Sequence, residues 1–311
     1  MTAAPASIGD RLAERVTERQ SQLVLGLDPD PNRLWPGALE QRGSRHAGAG
    51  PAIEAAAAIA IQSALAIDAT ADYCVAVKLQ LACFERFGAP GWGALERVAA
   101  HARSRGLLVI ADGKRGDIDV SAAAYGQSLF GGATTQFGHV EGLGADWATV
   151  NPLLGMDALR PLREAARERG SGLFVLVRTS NPGASDLQEL KLADGGTLSE
   201  RLATMVAELG SDGIGARGLS DVGAVVGATA PERLAALREL MPSAIFLLPG
   251  VGAQGGSVEE LAPAFAPGPA GGLVSSSRGI VYAHERSGGD PAGAAAREAS
   301  RLRELAWRLA G

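Results

Sequence analysis

The sequence predicts an α/β protein folded as a (β/α)8 barrel, and three observations lead to this fold class. Eight short apolar runs, rich in β-branched residues, recur along the 311 residues. The runs are continuous rather than alternating, which is typical of parallel strands covered on both faces. Helical stretches lie between them, and eight such units fit a barrel of ~250 residues that carries additional insertions.

The eight predicted strands follow one another without an interdomain linker or a tandem repeat. We therefore predict that residues 1–311 form one barrel domain. In chain order, the strands are predicted at residues 22–28, 73–79, 107–112, 146–151, 172–179, 221–229, 244–250 and 271–277.

The helices are predicted from apolar residues that recur with a helical period. Residues 156–170 form one such helix, whose buried face carries Leu159, Leu162 and Ala166. Residues 231–240 form another that opens with a proline in its first turn, and residues 295–311 close the chain. The excess length is predicted to lie in two insertions, after the first and fifth strands, at residues 29–52 and 181–200.

Composition excludes several classes of function. The net charge is −5 and no basic block occurs, which argues against nucleic acid or an anionic membrane as a partner. Only Cys74 and Cys83 are present, without a CxxC, and the four histidines are scattered, so no metal site is predicted. No apolar run reaches 18 residues and the N-terminus lacks a signal-peptide core, which favours a cytoplasmic protein.

A cluster of charge follows the third predicted strand, in the stretch "LLVIADGKRGDIDVS". Asp112 and Lys114 are two residues apart, so both side chains can face the same side of an extended strand. Lys78 ends the second strand, where it would be costly to bury without a partner such as Asp112. Active sites of these barrels lie at the C-terminal ends of the strands. The alternatives are a charged surface turn or a structural ion pair.

Two loops near the C-terminus predict a phosphate site. "PGVGAQGG" (249–256) contains GxGxxG, but residues 261–284 contain no Asp or Glu, so a dinucleotide-binding reading is weak. Glycines also let backbone amides approach an anion, and barrels often hold phosphate after strands seven and eight. In "SSSRG", Arg278 supplies a charged fork for phosphate oxygens.

The segment "RTSNPGA" (178–184) follows the fifth strand. The hydroxyl of Ser180 and the nearby backbone amides suit hydrogen bonding to a carbonyl or imide group of a ligand. The alternative is that Ser180 is an ordinary turn residue before Pro182.

Together these residues resemble the orotidine 5′-monophosphate decarboxylases, in their longer bacterial subgroup. The most specific match is DxKxxD, here Asp112, Lys114 and Asp117, and the resemblance covers nearly the whole chain. It implies a charge network formed by Lys78, Asp112, Lys114 and Asp117. In this network Asp117 comes from the other subunit of a homodimer. It also implies a set of substrate contacts to ribose, pyrimidine and phosphate, made by Asp28, Ile118, Ser121, Ser180, Val251, Gln254 and Arg278.

The family's reaction removes CO₂ from orotidine 5′-monophosphate without a cofactor. Such chemistry needs a cation that stabilises the carbanion at C6 and then supplies a proton, which is a role for Lys114.

Two alternative functions remain. A metal-dependent sugar-phosphate lyase or decarboxylase of the same suprafamily would carry an acid where this chain has Lys78. A phosphate-ligand sensor would not need Lys114 beside acids.

Overall fold

The computed structural model describes residues 7–43, 47–252 and 255–310, and it contains a closed barrel of eight parallel strands. The strand bounds are β1 Leu23–Leu27, β2 Ala76–Gln80, β3 Leu108–Arg115, β6 Trp147–Val150, β7 Gly172–Arg178, β8 Val222–Val226, β9 Phe246–Pro249 and β10 Gly272–Ser276. Around the barrel the order is β1, β10, β9, β8, β7, β6, β3 and β2. A separate antiparallel hairpin consists of β4 Ala133–Thr135 and β5 Gly138–Val140.

Helices cover the outside of the barrel and its N-terminal end. Their bounds are α1 Ile8–Arg19, α2 Pro36–Arg42, α3 Pro51–Thr70, α4 Leu81–Glu85, α5 Ala89–Ser104, α6 Asp119–Gly126, α7 Met156–Arg167, α8 Ala184–Leu187, α9 Leu198–Gly210, α10 Leu234–Leu240, α11 Arg278–Val281, α12 His284–Ser287 and α13 Pro291–Ala310.

All eight predicted strands are present, which confirms the (β/α)8 barrel. Burial also follows the prediction, since every residue of β1, β6, β8 and β10 is buried. The predicted helical face is confirmed in α7, where Leu159, Leu162 and Ala166 are buried. The helix predicted over 231–240 begins as a 3₁₀ turn at Pro231 and becomes α-helical at Leu234.

Both predicted insertions contain short helices. The first holds α2, and the second holds α8. A third insertion, which was not predicted from the sequence, contains the hairpin of β4 and β5 and lies between α6 and β6. Its strands are three residues long and largely exposed, so they carry no apolar period that a sequence pattern could reveal.

The helix α3 is unusually apolar. By length and composition the segment Pro51–Tyr73 could cross a bilayer, but half of its most apolar window is buried inside the protein. It packs against α2, α5 and α13 on the outside of the barrel. Its apolar character is therefore that of a helix in the protein core.

The barrel interior is closed at its N-terminal end by α1. Ile8, Leu12 and Val16 of that helix join an apolar cluster that includes Trp147 and Phe174. The two rings stack with their centres 4.4 Å apart. Since side chains fill this end of the barrel, the opposite end, where the strands terminate, is the one left for a cavity within the barrel.

Candidate active site

A cavity of about 380 Å³ opens at the C-terminal ends of the barrel strands. Its floor is apolar and includes Val225 and Leu247, whereas its walls carry charged and polar side chains. Seven of the residues predicted from the sequence line it, namely Asp28, Lys78, Asp112, Lys114, Ser180, Val251 and Arg278.

Asp112 is the centre of the charged wall. One carboxylate oxygen accepts a 2.6 Å hydrogen bond from Nζ of Lys78, and the other accepts a 2.6 Å bond from Nζ of Lys114. Thr149 and Gln80 donate two further bonds to it, at 2.8 and 3.3 Å. The Lys78 side chain is 9% exposed and that of Lys114 is 44% exposed, so the second lysine reaches the open cavity.

The pairing sets the charge state of the buried groups. Burial alone would raise the pKa of Asp112, but the ammonium groups of Lys78 and Lys114 hold it below its ordinary value. Burial alone would lower the pKa of Lys78, but Asp112 and Asp28 raise it above its ordinary value. Both groups therefore stay ionised at neutral pH.

The backbone of β3 is irregular where it carries Lys114. The register with β6 shifts between Ala111 and Arg115, and Lys114 has a φ of +49°, a conformation that is uncommon for residues other than glycine. Its amide donates a 2.9 Å bond to Oγ1 of Thr149, the same hydroxyl that donates to Asp112. Thr149 therefore couples the backbone and the carboxylate of this segment.

The close approach of β3 to its neighbours requires a glycine after Lys114. A Cβ on Gly116 would lie 2.9 Å from the carbonyl oxygen of Asn151, so no larger side chain fits there without a shift. The packing of the backbone against Asn151 thus explains the glycine at position 116.

Asp28 follows β1 and faces the same cavity. One of its oxygens accepts a 2.7 Å bond from the hydroxyl of Ser277, and the other lies 3.9 Å from Nζ of Lys78. The second oxygen is buried without a hydrogen-bond partner in the described part of the chain. An unpartnered buried carboxylate oxygen suits a hydroxyl donor from a ligand.

Ser180 lies on the turn after β7, at the opposite wall. Its carbonyl accepts a 3.1 Å bond from Thr229, and a Cβ on Gly227 would lie 2.8 Å from its Cα. Its neighbours Thr179 and Asn181 also line the cavity. Contacts with Thr229 and Gly227 therefore hold the turn in place, and its polar groups line the cavity.

The glycine loop after β9 differs from its prediction in one respect. The amides of Gly252, Gly255 and Gly256 donate to carbonyls of the loop itself, so in this conformation they are not directed at an anion. Arg278, at the start of α11, is exposed and lines the cavity. Gln254 lies outside the described residues.

Three predicted residues do not line the cavity. Asp117 follows Gly116 where the chain leaves the barrel, and Ile118 and Ser121 lie beyond it on exposed surface. Ile118 is 49% exposed, and the carboxylate of Asp117 accepts a bond from the Ile118 amide. Within one chain the structure does not bring these residues to Lys114.

Several lining residues were not singled out from the sequence. A polar residue inside an apolar strand was the available signal for Thr149, and the spacing of two from Lys78 was the signal for Gln80. The other lining residues of this kind are Thr179, Asn181, Ser275 and Ser277. Among the described residues, no group of three or more His, Cys, Asp or Glu side chains is placed to share a metal ion.

Comparison with known proteins identifies a family. The family model described as "Orotidine 5'-phosphate decarboxylase / HUMPS family" matches residues 21–294. The orotidine 5'-phosphate decarboxylase of Deinococcus radiodurans is 44% identical over 300 residues, which are 94% of each protein. That of Rhodopirellula baltica is 46% identical over 220 residues, which are 71% of this chain and 72% of the relative.

A solved structure extends the similarity to three dimensions. The OMP decarboxylase of Leishmania donovani superposes with a TM-score of 0.71 at 31% identity. The match covers 96% of this chain and 98% of that one. The similarity therefore extends over nearly the whole length of both chains.

Proposed function

The chain belongs to the orotidine 5′-phosphate decarboxylase / HUMPS family, and we propose that it converts orotidine 5′-monophosphate into uridine 5′-monophosphate, the last step of de novo pyrimidine biosynthesis. The observation that carries this proposal is the Lys78–Asp112–Lys114 network at the cavity wall. The curated relatives with 44% and 46% identity bear the same activity in their names.

Loss of CO₂ from C6 of the pyrimidine leaves an electron pair on that carbon, and no cofactor is proposed to accept it. Lys114 is proposed to stabilise this carbanion with its ammonium group and then to give it a proton. Of the two lysines on Asp112, it has the more exposed side chain, so it can reach a ligand.

Asp112 is proposed to repel the carboxylate of the substrate. Its own carboxylate lies beside Lys114, 2.6 Å from Nζ of that lysine. A substrate carboxylate placed next to Lys114 would also be close to Asp112. Repulsion between the two anions would be relieved as neutral CO₂ forms. Lys78 would keep Asp112 ionised and in place throughout.

The remaining predicted residues are proposed to fix the substrate along the cavity. Ser180 would contact the pyrimidine edge, Asp28 a ribose hydroxyl, and Arg278 the phosphate. Val251 would contribute apolar contact, and Gln254 is proposed to bridge the pyrimidine edge and the phosphate. Binding energy from the phosphate, which does not react, can then hold C6 beside Lys114.

We further propose a homodimer in which the partner subunit completes the site with its Asp117, Ile118 and Ser121. Two features support it. Asp117 lies outside the cavity of its own chain, and the surface beside it carries exposed apolar residues that a partner would cover, including Ile118, Val120, Leu153 and Leu154. A two-fold interface is self-complementary, so each subunit would complete the other's site.

The alternative from the same family is a metal-dependent lyase or decarboxylase acting on a sugar phosphate. Lys78 argues against it, because its ammonium group stands at the strand end where such enzymes carry a metal-binding acid and would repel a divalent cation. The low net charge and the absence of a basic block favour a small-molecule substrate in the cytoplasm over nucleic acid or membrane.

The deciding experiment is a direct assay with orotidine 5′-monophosphate, following the change in pyrimidine absorbance, before and after exhaustive treatment with EDTA. We expect full activity in both samples. Activity that disappears on chelation and returns with Mg²⁺ would contradict the proposed mechanism and favour the metal-dependent alternative.

A further inference from the structure

The segment after β1 contacts the turn that carries Arg278. Trp35 is buried, and its indole Nε1 donates a 3.0 Å hydrogen bond to the carbonyl of Val281, the last residue of α11. A helix leaves its final carbonyls without helical partners. Because α11 is a single turn that begins at Arg278, this bond fixes the far end of the arginine's own turn.

Arg33 provides a second contact to the same region. Its guanidinium donates to both carboxylate oxygens of Glu285, at 3.2 and 2.6 Å, and lies 3.7 Å from the centre of the Tyr282 ring. Donating these hydrogen bonds to the Glu285 carboxylate raises the pKa of Arg33 above its ordinary value. Both partners are over two-fifths exposed, so the pair adds little stability, but its two-pronged geometry is directional.

The contacts lie on both sides of Arg278. On its N-terminal side, Ser277 donates a 2.7 Å bond to Asp28, the first residue after β1. Trp35 is itself held by α3, since its backbone amide donates a 2.8 Å bond to the side chain of Gln62. The segment is therefore anchored to α3, and its contacts can restrict the movement of the turn that carries Arg278.

We infer that residues 28–35 act as a brace that positions Arg278 for the substrate phosphate. Arg278 is exposed, so packing does not orient its guanidinium, and the geometry of its turn must do so. Trp35 and Arg33 do not line the cavity and act as positioning residues. The inference rests on the proposed role of Arg278, and it gives the start of the first insertion a function.

The test uses the full-length protein and two substrates, orotidine 5′-monophosphate and orotidine, which has no phosphate. Trp35→Phe keeps an aromatic ring but removes the donor to Val281. We expect kcat/KM for the nucleotide to fall about tenfold, mostly through KM, as for the loss of one positioning hydrogen bond. The value for orotidine should stay unchanged. In an Arg278→Ala background the additional effect of Trp35→Phe should disappear.

Two further variants keep the result interpretable. Trp92→Phe on α5 makes the same chemical change away from the cavity and should alter neither substrate. Arg33→Met removes an exposed ion pair without threatening the fold and should repeat the selective loss. Equal losses with both substrates, or a Trp35→Phe effect that persists without Arg278, would overturn the brace. If Arg278→Ala alone affects both substrates equally, the phosphate role of Arg278 fails, and the brace fails with it.

Discussion

The two aspartates of the DxKxxD motif occupy different environments although they are only five positions apart in the chain. Asp112 is 4% exposed, and its carboxylate accepts hydrogen bonds from two lysines, a threonine and a glutamine. Asp117 lies past Gly116, outside the cavity, and accepts a bond from the next amide along the chain. Beyond it, Val120 is 83% exposed.

This difference shows which part of the site a single chain can build. Asp112 is on a barrel strand whose position is fixed by hydrogen bonds to both neighbouring strands, so its partners follow from the fold. Asp117 is on the segment that connects β3 to α6, and the strand ladders of the barrel do not fix such a connection. One barrel thus positions three charges of the proposed network, and we propose that the fourth, Asp117, is positioned by a second subunit.

The largest effect is expected at the strand-end network. Lys114→Ala should lower kcat by about 10⁴-fold or more, because it removes both the proton donor and the cation facing the carbanion. Steady-state rates with orotidine 5′-monophosphate measure this loss. Lys191→Ala, on the exposed surface of the second insertion, is the matched control and should retain full activity. Comparable rates in the two variants would remove Lys114 from the mechanism.

The second prediction tests whether Asp117 serves its partner. Asp117→Ala and Lys114→Ala homodimers should each be nearly inactive. When the two variants are unfolded together and refolded, half the dimers are mixed and each has one intact site, so the mixture should regain about a quarter of the wild-type activity.

The readout is activity as a function of the mixing ratio, with separately refolded variants combined afterwards as the control. A mixture no more active than the average of its parents would mean that Asp117 does not act across a subunit interface.

A smaller effect is expected from the residue that links the strand backbone to Asp112. Thr149→Val keeps the shape of the side chain but removes the bond to the carboxylate and the acceptor for the Lys114 amide. Loss of a hydrogen bond to a charged group predicts a decrease in kcat of about 10- to 100-fold. Thr134→Val, on the exposed hairpin, should leave kcat unchanged. A wild-type kcat in Thr149→Val would show that the two lysines and Gln80 hold Asp112 without the threonine.

The barrel and the charged residues of the cavity wall could be predicted from the sequence because strand periodicity and topology determine them together. Eight apolar runs indicate the strands, and their C-terminal ends bring Lys78 and Asp112 to one wall. The hairpin of β4 and β5 and the contribution of Thr149 could not be predicted in this way. The first has no apolar pattern. For the second, a polar residue inside an apolar strand marks Thr149, but the bonds of its hydroxyl lie beside a register shift that the sequence does not reveal.

The same reasoning limits what the sequence says about the connecting segments. The glycine loop was predicted to offer its amides to phosphate, yet three of them bond within the loop. A glycine pattern indicates conformational freedom but not which carbonyl an amide will choose. Contacts such as that of Trp35 with Val281 join residues 246 positions apart, and no local pattern encodes them.

The smallest expected effect concerns pH, and it follows from the burial of Asp112. Its pKa is held below its ordinary value, so its carboxylate stays ionised as the pH falls from 7 towards about 4. With Lys78 the sign is reversed: its pKa is raised, so it stays charged as the pH rises. Neither group should therefore produce an acid limb in the pH profile between pH 5 and 7.

The phosphate of the nucleotide, by contrast, gains a proton at about pH 6 and should bind Arg278 less well below that pH. We expect kcat/KM to decline below this pH with orotidine 5′-monophosphate and to stay level with orotidine. An acid limb shared by both substrates would place the titrating group in the protein, and would mean that the strand-end network is less firmly held than its hydrogen bonds indicate.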